Sequence, residues 1–245
     1  MKDNFSAQAD KYSRFRPQYP MELYDILLSL VPDRKMAWDC GTGNGQVAQE
    51  LAIFFDQVMA TDISQEQIRH APPNNKIIYS IQKAENTSFS ENSFDLITVA
   101  QAIHWFDFDQ FYKEVNRTIK DNGILAVIGY GLIQTFKEAD EVIEHFYHHI
   151  VGPYWDKERR YIDHHYKTIP FPFYDLKNID LESKFEWSLE HLIGYLHTWS
   201  ALKHYQNEKN QDPIDFIYKD LENAWGHKTR TVTFPILLRV GKIKK

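Results

Sequence analysis

Between residues 35 and 130 the chain alternates five times between a short apolar run and a helix-spaced segment, and this rhythm restricts the fold more than any other feature. The apolar runs lie in "KMAWDC", "QVMATD", "KIIYSIQ", "NSFDLITVAQ" and "ILAVIGY", each of strand length. Between them, "QVAQELAIFF" places Val47, Ala48, Leu51 and Phe55 on one helical face. "FDFDQFYKEVNRTI" does the same with Phe108, Phe111, Tyr112, Val115 and Ile119. Ser64 stands three residues before Gln67, the spacing of a capping box, so a helix is expected to begin there. Upstream, Leu23, Ile26, Leu27 and Leu30 follow Pro20 at helical spacing, and Pro32 closes that helix. In "DNG", Gly123 is the expected left-handed stop. Buried strands joined by helices predict an α/β fold, a doubly wound, mostly parallel sheet with helices on both faces.

Beyond Tyr130 the rhythm stops. Residues 131 to 180 are rich in His, Tyr, Trp and Pro, with one helical stretch, "KEADEVIEHFYHHIV", and then irregular sequence. "SLEHLIGYLHTWSALKHY" reads as a helix carrying Leu189, Leu192, Ile193 and Leu196 on one side. "TVTFPILLRVGKI" reads as a closing strand, in which Pro235 favours an edge or a bulge. The expected organisation is a lid and first helix over 1–34, a cofactor-binding core over 35–130, a helical, aromatic cap over 131–228 and a closing strand over 229–245.

Composition removes several classes. A net charge of −6 with no clustered basic face argues against nucleic acid. No run approaches the roughly 18 apolar residues of a membrane span, and the N-terminal stretch lacks the apolar core of a signal peptide. Cys40 is the only cysteine, which excludes an internal disulfide and suits a reducing compartment. Lying in a strand, it reads as a small buried residue. His145 and His149 stand four apart, but there is no H-E-x-x-H and no cysteine cluster, so no metal is expected. The expected setting is cytoplasmic, for a monomer or homodimer acting on a small molecule without nucleic acid or membrane.

The chemistry is concentrated in "AWDCGTGNG", where Gly41, Gly43 and Gly45 separate a strand from a helix. Such a turn sets backbone N–H groups and a helix N-terminus beside a ligand. A dinucleotide fingerprint would place its third glycine at Gln46. Asp39, directly before the turn, would repel a pyrophosphate but attract an ammonium group. Asp62 lies 21 residues after Gly41 at the end of the second strand, where a carboxylate can accept from both hydroxyls of a ribose. The pair points to a nucleoside cofactor with an amino-acid end. Taken singly, each is also explained by a tight loop and a helix-capping acid.

"DCGTGNG", "TDIS", "KAENTSF" and "FDLITVAQAIHWFD" resemble the class I S-adenosylmethionine-dependent methyltransferases, with their Rossmann-like fold. The resemblance implies that the turn, with Asp39, Gly41, Thr42 and Gly43, cradles the methionine part. It places Asp62 and Ile63 at the ribose, Ala84 and Glu85 against the adenine, and Gln101 on the cofactor side. "DKYSRFRPQYP", "HWFDFDQF", "GPYW" and "GYLHTWSA" further resemble trans-aconitate methyltransferases of the eukaryotic type. That likeness implies a carboxylate of a small organic acid as methyl acceptor.

On the acceptor side His104 follows the fourth strand, where open α/β sheets place ligands. It is a candidate general base, a donor orienting an anionic substrate, or a structural anchor. Trp105, Tyr130, Tyr154, Trp155, Tyr195 and Trp199 are candidate pocket walls or core. Tyr12, Arg14 and Arg16 form either a lid, Tyr12 and Arg16 toward the cofactor and Arg14 toward substrate, or a solvated arm. Arg159 and Arg160 read equally as a polycarboxylate receiver and a surface patch. A phenolic or nitrogen acceptor with His104 as base is the rival within enzymes. A nicotinamide-dependent oxidoreductase conflicts with Asp39 and Gln46, and a non-catalytic binding module remains the alternative outside enzymes.

Overall fold

The computed structural model describes residues 15–178 and 181–243. Helix α1 spans Met21–Leu30 and buries Leu23, Tyr24, Leu27 and Leu28. Strand β1 (Met36–Cys40) runs through the glycine turn into α2 (Gln46–Phe54), followed by β2 (Gln57–Asp62), α3 (Gln65–Arg69) and β3 (Ile77–Ile81). Ser64 caps α3, its hydroxyl accepting from Gln67 N at 3.2 Å. Then come β4 (Phe94–Ala100), a 3-10 turn over Ile103–Trp105, α4 (Phe108–Thr118) and β5 (Ile119–Tyr130). Asp107 caps α4 by accepting from Gln110 N.

The sheet runs β3-β2-β1-β4-β5-β8-β6, where β8 is Arg230–Lys242 and β6 is Tyr174–Asn178. Strands β1 to β5 are parallel. Strand β8 is antiparallel to β5, pairing Val127 with Arg239 and Tyr130 with Ile236. Its other edge carries β6 and, further along, β7 (Leu181–Trp187). Successive strand residues face opposite sides. Ala37, Leu96 and Ala126 therefore join α1 and α2 in one core, while Trp38, Ile97 and Leu125 join Phe111 and Val115 of α4 in the other. Order reverses between β1 and β4, so the crevice for ligands opens beyond Cys40 and Ala100.

Four expectations change. Asn122, at φ 62°, takes the left-handed position, whereas Gly123 does not. Strand β8 is interior rather than an edge, and Pro235 sits one residue past the β5 pairing, its carbonyl still accepting from Gly131 N at 2.9 Å. The segment 174–187, read without strands, supplies β6 and β7. The single helix expected after Ser188 is two, α7 (Leu189–Leu196) and α8 (Ser200–Lys209), broken at His197–Trp199.

The remaining cap elements are α5 (Lys137–His145), continuing as a π-helical turn over Phe146–Ile150, α6 (Arg160–Asp163) and α9 (Tyr218–Trp225). Trp199, 2% exposed, centres the cap, with the rings of Phe146, Tyr147, Trp155 and Tyr195 around it. Among the described residues no helix is long and apolar enough to cross a membrane, and no three His, Cys, Asp or Glu side chains form a metal cluster.

Candidate active site

Gly41, Gly43 and Gly45 have φ of 71°, 57° and 84°, the left-handed region that a side chain makes costly. Space restricts two of them further. A Cβ on Gly41 would lie 2.6 Å from Ala102 Cβ, and one on Gly45 2.5 Å from the Tyr79 hydroxyl oxygen. A Cβ on Gly43 would meet only Gln67 Oε1, at an ordinary contact distance of 3.8 Å, so at this position it is the left-handed backbone and not crowding that favours glycine. Gly41 N and Thr42 N both donate to Thr61 O, which ties the turn to β2.

Two carboxylates flank this turn. Asp62 accepts from Gly43 N through Oδ2 and from Ser64 N through Oδ1, both at 2.9 Å. Its position is thus set by backbone, with the carboxylate held at the end of β2 beside the turn. Asp39 is 1% exposed. It accepts from Thr42 Oγ1 at 2.6 Å and from Thr98 Oγ1 at 2.8 Å. Burial raises its pKa to about 6 despite those hydroxyls. A desolvated carboxylate beside the turn gains most from a cationic ligand group.

Asp39, Gly43, Gln101, Tyr130 and Arg16 line a cavity of about 60 Å³. A second, of about 40 Å³, is lined by Gln101 and Arg16 with His104, Trp105, Trp155, Arg159 and Trp199. Each holds only a water or two, so a ligand spanning both requires Arg16 and Gln101 to shift. Arg16 donates to the Tyr130 hydroxyl at 2.5 Å and to Thr198 O at 3.1 Å. Gln101 has φ 53° and donates its amide to Tyr130 O. Gln101 is thus a non-glycine residue in the left-handed region that lines both cavities.

In the second cavity Arg159 lies 4.7 Å above the Trp155 ring, and Nε donates to the Tyr147 hydroxyl at 2.6 Å. Asp163 stands 3.5 Å from the same guanidinium. His104 is 6% exposed. Burial first, and then the charge of Arg159, lower its pKa to about 3. It is a neutral imidazole at pH 7.

Other predicted residues fall elsewhere. Tyr12 and Arg14 lie outside the described residues. Ile63 is half-buried behind β2 and Ala84 is buried, while Glu85 accepts from Asp107 N at the start of α4. Tyr195 is buried under Arg16, 5.9 Å from its guanidinium, and lines neither cavity. Tyr154 packs on Tyr205 at 4.8 Å, away from both cavities. Of the pair that reads equally as a receiver and a surface patch, Arg159 faces the cavity and Arg160 is exposed. Sequence reading passed over Thr98, Tyr147 and Tyr166. Thr98 alone had a signal, a polar residue inside an otherwise apolar strand.

A switch-point turn of bare glycines between two strand-end acids defines a nucleoside-cofactor α/β enzyme. A family model described as a methyltransferase domain matches residues 38–127. A Dictyostelium discoideum protein, provisionally a methyltransferase, is 33% identical over 98% of this chain and 95% of its own length. A solved Anaeromyxobacter dehalogenans structure, provisionally a type II methyltransferase, is 38% identical with a TM-score of 0.87, covering 94% of this chain and 99% of that one. A Bacillus halodurans structure at 15% identity and TM-score 0.55, covering 92% of this chain and all of that one, shares the fold. The chain belongs to the class I S-adenosylmethionine-dependent methyltransferases.

Proposed function

We propose that the chain transfers a methyl group to a carboxylate oxygen of a small organic acid held beneath the cap. The observation that carries this reading is the guanidinium of Arg159, its side chain 16% exposed, facing a cavity it shares with a neutral His104. Although shared with Asp163, a positive charge at the cavity wall favours an anionic acceptor. S-adenosylmethionine, when bound, supplies an electrophilic methyl. Asp62 would hold its ribose, Asp39 its ammonium group and the glycine turn its methionine part.

A carboxylate is ionised at neutral pH and needs no base. A phenol or amine needs one, and an imidazole of pKa about 3 is a poor proton acceptor. The likeness of "GPYW" and "GYLHTWSA" to trans-aconitate methyltransferases supports the same acceptor class. In this reading the protein works in the cytoplasm as a monomer or homodimer on a small molecule, without nucleic acid or membrane.

Calorimetric titration with S-adenosylmethionine, repeated with Asp62→Ala and with NADH, tests the cofactor half. Expected are micromolar binding, its loss in the variant, and no heat with NADH. An acceptor screen then sets carboxylic acids against phenols and amines, in wild type and His104→Asn. Methylation confined to phenols or amines, and abolished in His104→Asn, would sink the carboxylate reading.

A further inference from the structure

One buried contact of His104 has no part in the scheme above. Its Nδ1 lies 3.3 Å from the Tyr166 hydroxyl, and the two rings stack at 26°. Tyr166 is fully buried, at 0% exposure. Its placement is built at a cost. His165 and Tyr166 have φ of 53° and 58°, two consecutive left-handed residues that both carry side chains.

The surrounding fold sustains that conformation. Arg239 on β8 donates to Tyr166 O at 3.1 Å and to Ile169 O at 2.9 Å. Tyr166 N donates to Tyr161 O at 2.7 Å. On β5, Gly129 leaves room for the ring, since a Cβ there would lie 2.6 Å from Tyr166 Cε2. Three separate elements thus hold one phenol against one imidazole.

We infer that Tyr166 is a positioning residue, whose hydroxyl donates to His104 Nδ1 and fixes the ring as its Nε2–H tautomer, so that His104 is a hydrogen-bond donor toward the acceptor. A phenolic O–H is a strong donor, whereas its oxygen, conjugated with the ring, is a poor acceptor. A pyridine-type imidazole nitrogen is a strong acceptor. The O–H to Nδ1 direction is therefore the stronger of the two, and the proton then resides on Nε2.

Charged groups around the ring agree with a neutral state. Arg159 and Arg16 line the inner cavity that His104 borders, and Lys157, Glu158 and Arg160 line the outer one. With protonation disfavoured, the tautomer decides what His104 offers. An Nε2–H beside Arg159 would hold the carboxylate oxygen that is not methylated, whereas a lone pair there would repel it. That consequence rests on the carboxylate reading. The tautomer itself requires neither cofactor nor acceptor.

The test is long-range 1H–15N correlation on full-length protein carrying 15N-labelled histidine, with His104 assigned by its loss in His104→Asn. The expected spectrum shows a pyridine-type Nδ1 and a pyrrole-type Nε2, unchanged between about pH 5.5 and 8. In Tyr166→Phe both nitrogens should move toward averaged shifts as the tautomers mix. S-adenosylhomocysteine calorimetry and a melting curve confirm that this variant folds. If it does not fold, the wild-type spectrum decides alone. An Nδ1–H pattern in wild type, an imidazolium at pH 7, or an unaltered pattern in a folded Tyr166→Phe would overturn the assignment. Failure to bind S-adenosylmethionine alongside the expected spectrum would remove the methyltransferase reading and leave the tautomer standing.

Discussion

The cofactor side and the acceptor side of this site are made of different material. The first is mainly backbone and strand ends: three glycines at positive φ, a carbonyl on Thr61 gathering two N–H groups, and two acids closing β1 and β2. All of it lies between Asp39 and Asp62. The second is side chains brought from the whole chain. Arg16 precedes α1, His104 follows β4, Trp155 and Arg159 come from the cap, and Trp199 sits in the break between α7 and α8. Arg16 and its partner Thr198 are 182 residues apart. A ligand common to a broad class is read by local geometry. The ligand that distinguishes this chain is read by tertiary packing.

The largest effect should come from breaking the backbone side. Gly41→Ala sets a Cβ 2.6 Å from Ala102 Cβ at φ 71°. Left-handed strain and overpacking together should destabilise the fold by about 2–5 kcal/mol and abolish S-adenosylmethionine binding. Melting curves and calorimetry measure both. A variant melting with wild type and binding normally would show that side-chain contacts, and not the turn, hold the cofactor.

The same division governs what sequence reading recovers. "QVMATD" became β2 at Gln57–Asp62, and "KMAWDC" became β1 at Met36–Cys40, because parallel strands buried on both faces read as continuous apolar runs. Apart from "TVTFPILLRVGKI", which became β8 at Arg230–Lys242, the second half gives no such signal. "LESKFEW" alternates, with Leu181, Ser183 and Trp187 buried and Glu182, Lys184 and Glu186 exposed, and that period of two was legible. The break at His197–Trp199 was not. It depends on Arg16 donating to Thr198 O and on His197 pairing with Asp212 at 2.7 Å, contacts no local pattern encodes. The Tyr166 contact to His104 is of the same kind, since it needs Gly129 and Arg239 from two other strands.

Next in size is a change confined to the acceptor side. Arg159→Met keeps much of the contact with Trp155 but removes the charge. For the best carboxylate from the acceptor screen, KM should rise about 10–100-fold, as expected for loss of a charged hydrogen bond. Affinity for S-adenosylhomocysteine should stay within about twofold. Equal losses in both quantities would dissolve the division between the two sides.

A smaller effect, of about tenfold, should follow pH through Asp39, whose pKa is near 6. Below that pH the carboxyl is neutral and offers an ammonium group little. Cofactor affinity should therefore fall about tenfold from pH 7 to 5 in wild type and stay flat in a uniformly weak Asp39→Asn. The stability of the free chain runs the other way. The raised pKa means the native state holds this proton longer than the unfolded chain, so the contribution is fullest below about pH 4 and is lost as pH rises through 6. At pH 7, Asp39→Asn should thus stabilise the free protein, by at most about 3 kcal/mol. A variant that lost both affinity and stability would point to a structural carboxylate.

The smallest effect, that of Tyr154→Phe, comes from one of two neighbours in the cap. Trp155 lines the acceptor cavity, lies 5.4 Å from Trp199 and donates Nε1 to Tyr147 O. Tyr154 points the other way, onto Tyr205, with its hydroxyl toward Lys209 at the surface. Tyr154→Phe leaves the ring contact in place and removes only a solvent-side hydrogen bond. It should alter stability by no more than about 0.5 kcal/mol and acceptor KM by less than about twofold. Trp155→Ala removes both the cavity wall and the surface under Arg159, and should raise that KM at least about tenfold. Similar KM values for the two variants would mean that the acceptor reaches past Trp155 to Tyr154, and the wall of the site would have to be redrawn along the face that carries Tyr205.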